Sequence, residues 1–358
     1  MGALSALPPE WLECALAPPR ASAHPSAQAC LKKEPEDFKV SERLGFVADG
    51  GSAHVLLEVE KRGRDTLGVA RQLARAAGVP SRDVGFAGLK DRVAVATQWF
   101  TVPATQTAAQ WMLQEGDGFK VLRAEPHSRK LRRGALQGNH FQIRLTELGG
   151  DTSTLQARLE ALPSTGVPNY FGLQRFGREG SNLFAVQRLL ESGRLPAGRE
   201  ARGFVLSAAR ALVFNAVLAE RVQQGSWNQL LPGELVNLDG RGSWFVADVI
   251  DATLLARLEA FDIHPTGPLA GARSESVGAS RALEDAVLER FQPLPAVLEQ
   301  VGLEAARRPL RVIPREFVAS WQDNTLELSF VLPPGAYATM VVRELVATSD
   351  ATVEGHDD

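Results

Sequence analysis

A change of hydrophobic periodicity at Gly149–Gly150 constrains the fold of this chain more than any other feature of its sequence. Before it, strand-like runs such as FKVSERL, HVLLEVEKR and VAVATQWFTV surround one helical pattern, TLGVARQLARAAG, which ends at Gly78. After it, DTSTLQARLEAL, SNLFAVQRLLES and SAARALVFNAVLAERVQQ carry apolar residues three or four positions apart behind a capping Asp or Ser, which predicts helices. Strands return in REFVASW and TLELSFVL, and ATMVVRELVA predicts a final helix. This order of strands, helices and strands predicts two lobes.

The two ends of the chain differ from this folded body. The first residues contain Pro8, Pro9, Pro18 and Pro19 among small residues, a composition that favours an irregular arm over a packed element. The folded body is predicted to begin near Leu31. At the other end, the acidic run SDATVEGHDD is predicted to be a disordered tail.

Composition limits the compartment and the partners. With 44% apolar residues among 358, the chain can form one large core or two smaller ones. The net charge of -3 does not indicate a polyanion partner, so any nucleic-acid site must be a local basic patch. Cys14 and Cys30 are the only cysteines, which favours a reducing compartment. There is no export signal and no apolar run near the roughly 18 residues of a membrane span, so a soluble cytoplasmic protein without a membrane partner is predicted.

Several common chemistries lack their sequence signatures. The six histidines are scattered and there is no Cys-x-x-Cys, so no metal site is predicted. The segment GFAGLK lacks the length and the Ser or Thr of a phosphate-binding loop, and no G-x-G-x-x-G follows a strand, so no nucleotide cofactor is predicted. GASRA imitates a serine-hydrolase elbow without its last glycine and is predicted to begin a helix.

Asp91 is the candidate for acid–base or nucleophilic chemistry. Lys90, Asp91 and Arg92 stand between the glycine-rich turn of GFAGLK and the strand-like VAVATQWF. The flanking cations favour an ionised carboxylate, the form that a nucleophile or base needs. On the residues alone, however, a charged triplet at a turn is more often a solvated cluster.

The run from Lys120 to Arg144 is the candidate for RNA contacts. It holds seven Lys or Arg against the single acid Glu125, a local charge of +6. Asn139 and Phe141 lie near its end and are suited to reading and stacking a base. An exposed loop whose arginines only aid solubility explains the charge equally well.

Seven segments together resemble the TruD family of tRNA pseudouridine synthases. They are EPEDFKV, GFAGLKDRVAVATQW, KLRRGALQGNHF, GVPNYFGLQRFG, SAARALVFNAVLAERV, GRGSWF and LPPGAYATMVVREL, and they follow the family's order from about Leu31 to about Val346. The resemblance implies an α+β fold, with a pseudouridine synthase-type catalytic domain that has a mixed or antiparallel sheet and is interrupted by an inserted α/β domain. The implied division is an N-terminal arm at 1–30, a catalytic domain at 31–167 and 313–347, an insertion at 168–312 and an acidic tail at 348–358.

The resemblance also implies an activity and its residues. Family members isomerise uridine to pseudouridine in tRNA, typically at position thirteen of the glutamate tRNA, without a cofactor and without an obligatory protein partner. The implied catalytic residues are Asp91 and, as its basic partner, Lys32. Positions matched to substrate binding are Phe38, Asn139, Phe141 and Phe330, with Phe141 stacked against the target base. The basic residues Arg129, Lys130, Arg132 and Arg133 are predicted to bind RNA.

Two rival functions remain open on sequence grounds. A tRNA-binding chaperone could use the same basic surface and aromatic residues without catalysis, although it would gain nothing from a carboxylate that faces phosphates. A nuclease is weaker still, because no paired-carboxylate metal site accompanies Asp91. Within the synthase reading, Asp91 could attack C1′ or remove the 2′ proton, and the sequence does not decide between these routes.

Overall fold

The computed structural model describes residues 7–270, 276–304 and 306–350. Its α-helices are α1 (Pro9–Leu16), α2 (Thr66–Ala77), α3 (Ala108–Trp111), α4 (Leu155–Thr165), α5 (Ser181–Ser192), α6 (Arg199–Gln223), α7 (Ala252–Glu259), α8 (Gly278–Arg290), α9 (Leu294–Gln300) and α10 (Ala338–Leu345). Its first strands are β1 (Ala27–Leu31), β2 (Phe38–Arg43), β3 (His54–Arg62), β4 (Gly85–Phe86), β5 (Val95–Pro103), β6 (Glu115–Gly116), β7 (Phe119–His127) and β8 (Gly138–Gly150). The later strands are β9 (Val167–Pro168), β10 (Glu234–Leu238), β11 (Trp244–Ala247), β12 (Ile263–Leu269), β13 (Ala306–Pro309), β14 (Arg311–Val312), β15 (Arg315–Gln322), β16 (Thr325–Leu332) and β17 (Ala347–Asp350).

The fold is of the α+β class and divides into two compact units. The sheet unit comprises the described residues of Pro25–Leu159, Pro314–Gly335 and Leu345–Asp358. The helical unit comprises those of Met1–His24, Glu160–Ile313 and Ala336–Glu344. The domain boundaries implied by the resemblance stay predictions.

A mixed sheet forms the sheet unit, with the strand order β15-β16-β8-β2-β5-β3-β7-β6. Two further strand pairs attach β1 to β8 and to β17, and β4 pairs with β5. The pairs β1–β17 and β2–β5 are parallel, and the other pairs are antiparallel. The long strand β8 therefore lies between residues from both ends of the chain.

Helix α2 packs on this sheet because its ends and its apolar stripe are both well defined. Asp65 caps the first turn by accepting a hydrogen bond from Gly68 N, and Gly78 ends the helix in the left-handed conformation, with φ of 68°. Val69 and Leu73, four residues apart, are fully buried. The predicted helix and its predicted end at Gly78 are confirmed.

Helix α6 is the core of the helical unit. It begins at Arg199, eight residues before the predicted start, so Ser207 lies inside the helix and does not cap it. By length and composition it could cross a membrane, although no such run was expected from the sequence. However, 67% of its most apolar 18-residue stretch is buried inside the protein. Burial of this kind explains the apolar composition, because a helix surrounded by protein carries apolar residues on most of its faces. The antiparallel sheet β11-β10-β12-β13 belongs to the same unit.

The prediction of an irregular arm at the N-terminus is wrong for residues 9–16, which form α1. Pro9 stands in the first turn, where its missing N–H costs nothing and its fixed φ suits a helix. Trp11 stacks on Phe291 with ring centroids 4.8 Å apart and donates from Nε1 to the carbonyl of Arg290. The buried Trp11 and Ala15, four residues apart, anchor this helix in the core of the helical unit.

The predicted acidic tail begins too early. Residues 347–350 form β17, which pairs in parallel with β1 from Gln28↔Ala347 to Leu31↔Asp350. The backbone hydrogen bonds of a neighbouring strand explain why this polar segment is ordered. Residues 351–358 lie outside the described residues.

Candidate active site

Asp91 lies in the loop of residues 87–94, between β4 and β5. Its side chain is 44% exposed and pairs with Lys32, whose Nζ lies 3.2 Å from Asp91 Oδ2. The Lys32 side chain is 10% exposed. The carboxylate is thus fixed on one side by a mostly buried ammonium and open to solvent on the other, as a nucleophile or base for an external substrate must be.

The backbone at Lys32 has an uncommon conformation. With φ of 60°, Lys32 is in the left-handed region, which costs a residue with a side chain about 1–2 kcal/mol. Lys32 directly follows β1, and its ammonium lies 4.4 Å from the centroid of the Phe38 ring. The ion pair with Asp91 and this ring contact offset the strain. Strain of this kind concentrates at functional sites.

Two buried polar side chains tether the loop of residues 87–94 to the sheet unit. Thr66 Oγ1 accepts a hydrogen bond from Lys90 N at 2.9 Å and donates to Gln98 Oε1 at 2.9 Å. The amide nitrogen of Gln98 in turn donates to Gly88 O at 2.7 Å. The loop that carries the carboxylate is therefore held by both α2 and β5.

Lys61 holds the same loop from β3. It is fully buried, yet among the described residues its Nζ donates hydrogen bonds only to main-chain oxygens: 2.7 Å to Asp91 O, 2.7 Å to Arg64 O and 3.5 Å to Lys90 O. Burial lowers the pKa of Lys61 to about 8, and the Asp91 carboxylate partly opposes that shift.

A buried ion pair orients the side chain of Asn139. Lys90 Nζ lies 2.8 Å from Glu42 Oε1 and donates to Asn139 Oδ1 at 2.8 Å. Burial raises the pKa of Glu42, while Lys90 and the N–H of Trp99 oppose the rise. Because an ammonium can only donate, the oxygen of Asn139 must face Lys90, and its amide nitrogen is left to donate elsewhere. No hydrogen bond joins that nitrogen to any other described residue.

Aromatic rings form a row on the same face of the sheet. The ring centroids of Phe38 and Phe141 are 6.0 Å apart, those of Phe141 and Phe330 are 5.8 Å apart, and those of Phe330 and Phe317 are 6.1 Å apart. Register places Phe330 directly opposite Phe141 on neighbouring strands. Through Phe38, the row reaches Lys32 and hence Asp91. Phe38, Phe141 and Phe330 are 5%, 8% and 0% exposed, so direct contact of each ring with substrate stays a prediction.

The basic run divides into two parts in the structure. Three of its cations form ion pairs: Lys120 with Glu60 at 3.0 Å, Arg123 with Glu125 at 2.6 Å, and Arg144 with Asp37 at 3.8 Å. The net charge around the run is therefore lower than the predicted +6, because Glu60 and Asp37, both distant in sequence, lie beside it. The four predicted RNA-binding residues Arg129, Lys130, Arg132 and Arg133 are exposed in the loop between β7 and β8. This segment is called the basic loop below.

The basic loop packs beside the segment that leads to Asp91. Leu131 is buried and anchors the loop by donating from its N–H to Thr101 Oγ1 at 2.8 Å. The Arg133 guanidinium lies 4.1 Å from the centroid of the Phe86 ring, and Gly134 N donates to Ala87 O at 2.8 Å. The exposed cations thus lie near the candidate catalytic loop in space, although they are distant from it in sequence.

Within residues 7–270, 276–304 and 306–350, no group of three or more His, Cys, Asp or Glu side chains could hold a metal ion. The prediction of no metal and no cofactor stays a prediction.

Sequence reasoning missed the supporting residues Glu42, Lys61, Thr66 and Gln98. A signal existed for two of them. Lys61 continues the inward-facing positions of Val55, Leu57 and Val59, and Glu42 continues those of Phe38 and Val40. A charged residue at an inward position of an alternating strand is a candidate for a buried structural or functional role.

Comparison with protein families relates this geometry to known proteins. The family model described as tRNA pseudouridine synthase D (TruD) matches residues 19–196 and 199–345. A Nitrosococcus oceani tRNA pseudouridine synthase D is 48% identical over 338 residues, which cover 91% of this chain and 93% of that protein. The protein of the same name from Methylococcus capsulatus is 44% identical over 332 residues and covers 92% and 94%.

A solved structure has a similar fold. It is a crystal structure of a Methanosarcina mazei protein provisionally named tRNA pseudouridine synthase D, with a TM-score of 0.71 and 21% identity. The match covers 97% of this chain and 99% of that one. At this identity the similarity concerns the fold alone.

Proposed function

The chain belongs to the TruD family of tRNA pseudouridine synthases, and from this we propose that it converts uridine 13 of tRNA(Glu) to pseudouridine in the cytoplasm. The observation that carries the proposal is the half-exposed carboxylate of Asp91, paired with Lys32 beside a row of aromatic rings. An isomerase that moves a base needs a carboxylate to act at the sugar and apolar rings to receive the base.

Asn139 and Phe141 suit a flipped uracil. A uridine stacked in RNA is inaccessible, so the enzyme must turn it out of the stack, and stacking on an aromatic ring recovers about 1–3 kcal/mol. Because Lys90 holds the oxygen of Asn139, its amide nitrogen is the group available to the base. A donor at this position fits a carbonyl oxygen of uracil and disfavours the amino group of cytosine.

The reaction exchanges one bond for another. The N1–C1′ bond breaks, the uracil turns, and C5 bonds to C1′. C5 then loses its proton, while N1 gains one, so no atom is lost overall. Asp91 either attacks C1′, forming an ester bond that C5 later displaces, or removes the 2′ proton and returns it to C2′ as C5 bonds to C1′; Lys32 holds the carboxylate in place by either route. Both routes remain part of the proposal.

Pseudouridine mapping tests the proposed target. In RNA from cells with and without the gene, we expect the pseudouridine at position 13 of tRNA(Glu) to disappear with the gene. The purified protein should restore it in a tRNA(Glu) transcript and should leave a transcript with cytidine at that position unchanged. Modification at other uridines only would refute the proposed target while leaving the family assignment intact.

The basic loop provides a second prediction, on affinity. The four cations of the basic loop are Arg129, Lys130, Arg132 and Arg133. If they contact phosphates, replacing all four with Gln should reduce the number of counterions that the tRNA releases on binding. Each lost contact should reduce the slope of log affinity against log salt by roughly 0.7 to 0.9. We expect much weaker tRNA binding at low salt, together with a near-normal single-turnover rate at saturating enzyme.

The matched control for this variant uses two exposed cations of the same run that lie outside the basic loop. Replacing Lys120 and Arg123 with Gln removes exposed charges whose partners are Glu60 and Glu125, so the salt slope should hardly change. An unchanged slope in the four-Gln variant would identify the basic loop as a solvated segment, with the RNA surface elsewhere.

A further inference from the structure

Lys61 occupies a position where a charged side chain is costly. It lies on β3, which pairs with β5 and β7 on its two sides, and its side chain is fully buried. Removing an ammonium from water is unfavourable unless it finds hydrogen-bond acceptors. Its nearest acceptors are main-chain oxygens rather than a carboxylate. An apolar residue such as Met would avoid the desolvation cost, so burial alone does not account for a lysine here.

The acceptors of Lys61 define what the charge holds together. The carbonyl of Arg64 belongs to the turn between β3 and α2, and the carbonyls of Lys90 and Asp91 belong to the candidate catalytic loop. An ammonium has three donors, and these three carbonyls use them. One of the two short bonds, at 2.7 Å, goes to the peptide oxygen of Asp91 itself. The strand thus fixes the backbone of the residue whose side chain carries the reactive carboxylate.

We propose that Lys61 is a positioning residue, which holds the main chain of Asp91 so that the carboxylate meets the sugar of the flipped uridine in a productive geometry. The proposal rests on the proposed role of Asp91 in the reaction. Lys61 does not touch substrate. It acts through Asp91, while Lys32 pairs with the carboxylate from the other side. A displacement of about 1 Å in a reacting group can cost on the order of 100-fold in rate, so the contact is large enough to matter.

The experiment separates the rate of the chemical step from tRNA affinity. Lys61→Met should reduce the single-turnover rate at saturating enzyme by about 100-fold, while the Kd for tRNA stays within about twofold. The control Lys120→Met removes the same charge from an exposed lysine of the neighbouring strand and should leave both values near those of the unmodified protein. A merely structural role would lower the melting temperature without this split between rate and affinity.

Two further variants keep the result decisive if Lys61→Met fails to fold. Lys61→Arg keeps a charged donor and should retain more activity than Lys61→Gln, which keeps donors but loses the charge. A folded Met or Gln variant that turns over within threefold of the unmodified protein would overturn the proposal, as would equal losses of rate and affinity. The unmodified protein serves as reference in each assay. If it does not modify uridine 13, the proposed target fails, and the Lys61 comparison proceeds on whichever tRNA uridine the mapping identifies.

Discussion

Replacing Asp91 with Asn should abolish pseudouridine formation, with a loss on the order of 10⁴-fold or more in the single-turnover rate. Asparagine has nearly the same shape, and its oxygen can still accept a hydrogen bond from Lys32, as Oδ2 of the carboxylate does at 3.2 Å. A neutral amide, however, can neither attack C1′ nor take up the 2′ proton, so the loss is expected by either route.

Affinity decides whether the loss belongs to chemistry. The Asp91 carboxylate carries a negative charge, as the tRNA phosphates do, so it contributes no attraction to them. Removing its charge should therefore leave the Kd for tRNA roughly unchanged. Asp83→Asn is the matched control, because Asp83 lies just before β4 and the substitution changes the charge equally. We expect it to turn over normally. Normal turnover by Asp91→Asn would instead remove the central residue of the proposed mechanism.

The parts of the fold that are specified locally could be predicted from the sequence. The residue patterns of REFVASW and TLELSFVL predict two strands, which the structure forms as the paired β15 and β16. Helix α2 was predictable because Asp65, an apolar stripe and Gly78 lie within fourteen consecutive residues. In each case the signal is contained in a few neighbouring residues, so no knowledge of distant partners is needed.

Elements that depend on distant partners could not be predicted in this way. Helix α1 is short and begins with proline, and its burial becomes evident only when Phe291, nearly three hundred residues away, stacks on Trp11. The strand β17 is polar and is ordered by pairing with β1. The charge of the basic run was overestimated for the same reason, since Glu60 and Asp37 reach it only after folding.

The candidate site shows the same limit. Lys90, Asp91 and Arg92 read as a solvated turn on their own, and only the family resemblance pointed to Lys32 as the partner of Asp91. The structure supplies a physical basis for that pairing in the 3.2 Å ion pair. It also changes the meaning of Lys90. This residue does not flank Asp91 as a surface cation but is buried, between Glu42 and Asn139.

Lys90→Met should be the most destabilising single change at the site. The Glu42 side chain is fully buried and that of Lys90 is 10% exposed, so removing the ammonium leaves an unpaired carboxylate inside the protein. Breaking a buried pair in this way typically costs about 3–5 kcal/mol of the free energy of unfolding. Urea unfolding at pH 8, compared with the unmodified protein, measures the loss.

The pH dependence of that loss tests its electrostatic origin. Burial already raises the pKa of Glu42 with Lys90 present, and without Lys90 the rise should be larger. A carboxyl group whose pKa is higher in the folded state binds its proton more tightly there, so folding is favoured at low pH and disfavoured as pH rises through the folded-state pKa. The deficit of Lys90→Met should therefore shrink from pH 8 to pH 5.

The double variant Glu42→Gln/Lys90→Met completes a thermodynamic cycle. Gln keeps an oxygen that can accept the hydrogen bond from the backbone N–H of Trp99, which is 2.9 Å long in the unmodified protein. Because Gln is neutral, it leaves no unpaired charge in the interior when Lys90 is removed. The double variant should therefore be more stable than Lys90→Met alone, despite having one more substitution. If instead the two losses add, the carboxylate and the ammonium do not stabilise each other, and the orientation of Asn139 must come from another source. The double variant has no unpaired carboxylate, but it still lacks the hydrogen bond from Lys90 to Asn139. Its turnover therefore measures the role of Lys90 in orienting Asn139 separately from its role in stability.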